Sequence, residues 1–179
     1  MLIAVPLLLA AACSDEEPAA PRSGPPADTG DTGSPTVADV DYPEDGVDLV
    51  DPPELKGVYQ RALQTYVDFE RGRRQAARVG KVGRLLAFNA TADVVDPYRK
   101  ALASGSSSYD GDVVIEFLGA QTRGNRLRLD VCVDATALVV PAASPTLLGQ
   151  ATRAPQQIDV TNFEGLWRVT RAEPADGTC

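Results

Sequence analysis

Between Tyr109 and Ala137 the chain carries two strand-like runs joined by one tight turn, and no other stretch limits the possible folds as much. Val113, Val114, Ile115, Phe117 and Leu118 lead through Arg123-Gly124-Asn125 into Leu127, Leu129, Val131 and Val133. In the second run these apolar residues alternate with Arg126, Arg128, Asp130, Cys132 and Asp134, so one face is buried and the other is wet. Gly124-Asn125 tolerates positive φ and predicts the turn of a long antiparallel hairpin. The chain before it has to cover the apolar face, and the chain after it has to extend the edge.

The cover is predicted to be helical. Asp51-Pro52-Pro53-Glu54 offers a cap, prolines at the first helical positions and an acid three residues after the cap. Leu55, Val58, Tyr59, Ala62, Leu63, Tyr66 and Val67 then recur at helical spacing, which predicts a helix to about Arg78. Gly80 and Gly83 reduce Val82 to Asn89 to a short turn at best. Thr91-Ala92-Asp93 caps a further helix through Val94, Val95, Tyr98, Ala101 and Leu102, with Pro97 tolerated early and Ser104-Gly105 as the stop. Downstream, Gln156 to Thr161 alternates as a third strand, Asn162-Phe163-Glu164-Gly165 turns the chain, and Leu166 to Arg171 returns as a fourth. The expected class is α+β: N-terminal helices on a curved four-stranded antiparallel sheet.

Residues 1–52 read differently. Leu2 to Ala12 is apolar but too short to span a bilayer, and Ala10-Ala11-Ala12-Cys13 places small residues directly before a cysteine. This resembles a bacterial lipobox, which implies a signal peptide over residues 1–12 and a diacylglycerol (palmitate-type) anchor on Cys13. Ala10 stands where such motifs usually carry Leu, and no basic residue precedes the apolar core. Ser14 to Pro53 holds eight prolines, and from Ser14 to Leu55 there are twelve acids against one base, Arg22. Such a segment has no means of burying a core and is expected to be a disordered tether with a reach of roughly 35 Å, more if charge repulsion extends it. Residues 53–179 are the expected domain. The predicted location is the outer, extracytoplasmic face of the cytoplasmic membrane, lipid-anchored.

The chain contains no histidine, so the commonest general base near neutral pH and the commonest metal ligand are both missing. No metal or cofactor is expected. With Cys13 lipidated, Cys132 and Cys179 remain, and outside the cytosol they are expected to form a disulfide on the outer sheet face. Arg71, Arg73, Arg74 and Arg78 crowd the end of the first helix. Two readings stand for them: a solvated face near a helix C-terminus, or contact with anionic lipid headgroups or cell-wall polymer. No aromatic residues interleave with them, and nucleic acid is not an expected partner. Asn89-Ala90-Thr91 formally matches a glycosylation acceptor.

A long helix, two short ones and a curved sheet ending in Gly165-Leu166-Trp167-Arg168-Val169 resemble the nuclear transport factor 2-like superfamily, SnoaL-like proteins included. Asp130-Val131-Cys132-Val133-Asp134, with Trp167-Arg168-Val169 and a terminal Gly177-Thr178-Cys179, is similar to a group of actinobacterial lipoproteins of that fold. The resemblance covers Pro53 to Cys179. It implies a cone with an apolar pocket, found both in isomerases, cyclases and dehydratases and in members that only bind or dimerise; fold alone does not choose among these. Enzymatic members place an Asp with a His or Tyr inside the cone, whereas the inner positions predicted here are Leu129, Val131, Val133, Trp167 and Val169. Tyr59, Tyr66, Tyr98 and Trp167 are the candidate pocket residues. The leading expectation is a non-enzymatic surface lipoprotein that binds an apolar small ligand or a partner protein. The rival is a lyase or isomerase of the ketosteroid isomerase type using Asp68 or Glu116. A buried carboxylate with polar neighbours in the cone would favour the enzyme, and an apolar pocket would favour binding.

Overall fold

The computed structural model describes residues 46–103 and 109–179. Cys13, the predicted signal peptide, most of the predicted tether and the Ser104-Gly105 stop lie outside the described residues. Within them the fold is α+β: strand β1 (Val47–Val50), helices α1 (Val58–Val79), α2 (Arg84–Asn89) and α3 (Ala92–Ala103), then strands β2 (Val113–Arg123), β3 (Arg126–Asp134), β4 (Arg153–Phe163) and β5 (Leu166–Pro174). A single 3-10 turn, Thr146–Leu148, interrupts the connection between β3 and β4.

The sheet has five strands in the order β1-β2-β3-β4-β5. Four form the expected antiparallel meander, and β1 adds a parallel edge, with Val47 beside Val113 and Leu49 beside Ile115. This corrects the strand count. Val47 and Leu49 are buried while Asp48 and Val50 face outward, a period-two pattern hidden in sequence by the acids and prolines around it. Because β1 and β2 run parallel, the chain needs a long crossover between them, and α1, α2 and α3 supply it.

α1 begins later than its sequence signal suggests. Asp51 and Gly57 take positive φ (44° and 61°), and the helix opens only at Val58. The proline pair explains the delay: a residue preceding proline is disfavoured in the α region, so Pro52-Pro53 favours an extended link from β1. At the other end Gly80, left-handed at φ 72°, closes the helix by donating its N–H to the Ala76 carbonyl at 2.9 Å. Gly72 lets α2 approach, since a Cβ there would stand 2.5 Å from the Leu86 nitrogen. The carbonyl of Thr91 accepts N–H bonds from Val94 and Val95 and so opens α3, and the Thr91 N–H donates to the Val169 carbonyl at 3.0 Å, fastening the helices to β5.

The two hairpins turn as the residues at their tips require. Gly124 alone takes positive φ (64°) in the β2–β3 turn, which suits a loop with glycine first, while Glu164 (54°) and Gly165 (94°) both do so between β4 and β5. Register shifts at Phe117/Gly119 and at Asp159/Val160 insert bulges that bend β2 and β5. The sheet's inner face, with Ile115, Leu129, Val131, Ile158, Val160 and Val169 all fully buried, packs in one core with Leu63, Tyr66, Val67 and Phe69 of α1.

The outer face carries charge. Asp159 is nearly fully buried there, accepting bonds from Arg128 Nε at 3.1 Å and Arg126 Nη1 at 3.4 Å. Cys132 lies on this face between Glu116 and Pro155 and is joined to Cys179, with Cα atoms 5.9 Å apart. The chain terminus thus folds back over the sheet and leaves Cys132 1% exposed, although its position alternates with the core.

Candidate functional site

The inward stripe of α1 changes chemistry halfway along. Ala62, Leu63, Tyr66 and Val67 are apolar or aromatic, but the same helical phase continues into Glu70 and Arg74 before Ala77 restores it. Glu70 is fully buried and Arg74 is 3% exposed. One turn of helix therefore drives a carboxylate and a guanidinium into the interior, with Arg73 beside them.

These groups line a cleft of about 170 Å³ between α1 and the inner sheet face. Val113, Val133, Ala154, Gln156 and Pro174 form the sheet wall, and Thr146, Gly149, Gln150 and Thr152 of the β3–β4 connection close one side. Arg73 Nη1 donates to Glu70 Oε1 at 2.8 Å, and its guanidinium sits 5.8 Å from the centre of the Tyr98 ring. Arg74 Nη2 donates to the Leu148 carbonyl at 2.9 Å, a bond spanning 74 residues of chain. Gly149, at φ 123°, makes that approach possible: a Cβ there would lie 2.8 Å from Arg74 Nη1.

The cluster is short of partners. Glu70 Oε2, Arg73 Nε, Arg74 Nε and Nη1, and the hydroxyls of Tyr66 and Tyr109 are all enclosed without a hydrogen bond. Buried polar groups are bonded in the great majority of cases, so a concentration of unpaired ones needs an explanation. The electrostatics point the same way. Burial, helped by the charge of Arg73, lowers the Arg74 guanidinium from its usual 12.5 to about 10. Arg73 moves oppositely: burial works against its charge, but the adjoining Glu70 carboxylate outweighs that and raises it. Burial also raises the phenols of Tyr66, Tyr98 and Tyr109, with the charge of Glu70 adding to the first two.

None of the four tyrosine and tryptophan candidates lines this cleft directly. Tyr66 and Tyr98 are core residues packed around Phe69, with ring centres 6.4 and 6.2 Å from it, and both reach the cleft only through the charged cluster. Tyr59 and Trp167 lie toward the hairpin turns, at the other end of the sheet: the Tyr59 hydroxyl bonds Thr122 Oγ1 at 2.9 Å, and Trp167 stands beside Asn162. Asp68 and Glu116, the carboxylates expected to serve an enzyme, are both elsewhere. Asp68 is paired with Arg71 at 3.0 Å on the flank of α1, and Glu116 with Arg153 at 2.9 Å on the outer sheet face. Glu70 is the carboxylate that sequence reading missed. Its signal was its phase, a charged residue continuing an apolar stripe.

The arginine cluster does not form one face either. Arg73 and Arg74 turn inward, with little side-chain exposure, which corrects the solvated-face reading for them. Arg71 pairs with Asp68, and Arg78 donates to the Gly111 carbonyl at 2.8 Å, bracing the entrance to β2. The Asn89 amide bonds the Leu85 carbonyl at 2.9 Å and is largely buried. Among the described residues, no group of three or more cysteines and carboxylates is arranged to hold a metal ion, and no helix is long and apolar enough to cross a membrane.

No protein-family model and no curated protein matches the chain. Among solved structures, an NTF2-like protein of unknown function from Shewanella baltica OS155 is similar at a TM-score of 0.38 and 9% identity, covering 67% of this chain and 100% of its own.

Proposed function

We propose that this protein is an extracytoplasmic lipoprotein, held at the outer face of the cytoplasmic membrane through Cys13, whose α+β domain is a nuclear transport factor 2-like cone that binds a small ligand without transforming it. One observation carries the ligand-binding part: a cleft of about 170 Å³ reaches the core beside Glu70, Arg73 and Arg74, whose buried polar atoms lack partners. The volume is below the ~300 to 1,000 Å³ of sites that enclose drug-sized molecules, so the ligand is compact. Membrane anchoring is supported by the small residues before Cys13 and the acidic, proline-rich stretch after it. The wholly apolar ligand expected from sequence is replaced by one with a polar head, because charged groups line the cleft.

Native mass spectrometry of the protein released from its own membranes tests the proposal. The expected spectrum shows a diacylglycerol mass on Cys13, absent in Cys13→Ala, and a retained small molecule. A chain that keeps its first twelve residues and carries no added mass would refute it.

A second reading, a lyase or isomerase, is favoured by one feature: Glu70 is a buried carboxylate with polar neighbours and one unbonded oxygen. Its Oε1 is already held by Arg73 at 2.8 Å, which weighs against a carboxyl free to act on a substrate. Recovery of the retained molecule chemically altered by the wild type and unaltered by Glu70→Gln would favour this reading.

A further inference from the structure

The ligand's chemical class follows from the charges and donors that the fold encloses. This inference rests on the ligand-binding reading above and narrows it. Glu70 brings one negative charge to the cluster, and Arg73 and Arg74 bring two positive ones. Glu70 Oε1 is committed to Arg73, so Arg74 has only a backbone carbonyl as its bonded partner. The groups facing it from other elements are uncharged: Tyr98 from α3, Tyr109 before β2, Gly149 and Gln150 from the β3–β4 connection, and Gln156 from β4. A water molecule would satisfy an N–H but leave the surplus charge in place. An anion does both.

The walls restrict which anion. Val113, Val133, Ala154 and Pro174 give the cleft an apolar side next to the guanidinium, which suits a ligand with a hydrocarbon body and a charged head. The surplus is a single positive charge, and a monoanion neutralises it where a phosphate dianion would reverse it. We propose that Arg74 is the recognition residue for a compact monocarboxylate whose apolar body occupies the cleft. Arg74 Nε and Nη1 are closed off in the structure, and the turn carrying Leu148 and Gly149 lies against the guanidinium. The carboxylate therefore takes the place of the Leu148 carbonyl, and the turn shifts to admit it. The depressed guanidinium pKa agrees with a cation that lacks its counter-charge.

The test uses sodium propionate on the purified full chain, followed through the Nε–Hε resonance of Arg74, which is assigned by its disappearance in Arg74→Lys. Propionamide, inorganic phosphate and sodium chloride serve as matched probes at constant ionic strength. The expected result is a saturable shift with propionate at a Kd on the order of 1 mM, and binding at least about tenfold weaker with propionamide. Arg74→Lys keeps the charge but not the planar fork, and should weaken propionate about tenfold while leaving the core methyl spectrum unchanged. Gly149→Ala, which crowds the guanidinium, should weaken it as well and gives a second readout if Arg74→Lys unfolds. Equal binding of propionamide, preference for phosphate, or an Arg74 resonance unmoved by propionate would each overturn the assignment. A neutral apolar molecule retained in the native mass spectrum would leave the ligand-binding proposal standing and remove this one.

Discussion

Replacing Glu70 and replacing Arg74 should have opposite consequences, although the two side chains lie one helical turn apart. Glu70 is fully buried, and its Oε1 lies 2.8 Å from Arg73 Nη1. Glu70→Gln removes the only negative charge from the cluster and leaves two guanidinium groups facing one another in a poorly solvated interior. Breaking a buried pair in this way costs about 3 to 5 kcal/mol. Glutamine keeps the volume and still accepts a bond from Arg73, so the lower end, about 3 kcal/mol, is expected. That is a large share of the ~5 to 15 kcal/mol by which a domain is typically stable. Arg74→Met gives up one bond to a carbonyl but also removes a buried cation without a counter-charge, and such exchanges are commonly neutral or stabilising by about 1 to 4 kcal/mol. The double variant should recover about 1 to 2 kcal/mol of the loss caused by Glu70→Gln, because the two sites are coupled through Arg73. Urea unfolding, monitored by the fluorescence of the single tryptophan, Trp167, measures all three. An Arg74→Met variant less stable than Glu70→Gln, or a Glu70→Gln change below about 1 kcal/mol, would show that the cluster is not the desolvated, positively charged site described above.

Three further outcomes are expected. Reduction, or Cys132→Ser, opens a loop spanning 47 positions and should destabilise the domain by about 4 kcal/mol on loop entropy, read as a lower urea midpoint against the oxidised protein. Alkaline stability should fall as pH rises above 10.0. The phenols of Tyr66, Tyr98 and Tyr109 are raised in the folded state, so there the native state binds more protons than the unfolded one; Arg74, lowered to about 10, opposes them. Phenolate absorbance should then show these three tyrosines ionising together with unfolding rather than ahead of it. Gly72→Ala should cost about 1 to 3 kcal/mol in a thermal melt, since its Cβ would meet the Leu86 backbone 2.5 Å away, whereas Gly124→Ala meets no neighbour and carries only the strain of a positive φ.

Much of the fold was legible locally. The β2–β3 and β4–β5 hairpins follow from alternation and from Gly124 and Gly165, the stripe of α1 from its spacing, and the start of α3 from Thr91. Each of these depends on residues close together in the chain. β1 was not legible, because a four-residue strand among acids and prolines forms only where β2 presents an edge to it. The start of α1 was misread for a related reason: the path of the chain after Asp51 is set by where β1 ends.

The site divides the same way. Sequence alone settled that Glu70 and Arg74 share a helix face with Leu63, Tyr66 and Val67, since helical geometry requires it. It said nothing about what that face would meet. Tertiary packing carried the charged turn past the apolar core to the end of the sheet where Val113, Val133 and Ala154 leave a cleft, and brought Leu148, 74 positions away, and its neighbour Gly149 onto Arg74. A charge in phase with an apolar stripe is ambiguous until its surroundings are known, because the low-dielectric interior that gives it a role is assembled from distant parts of the chain.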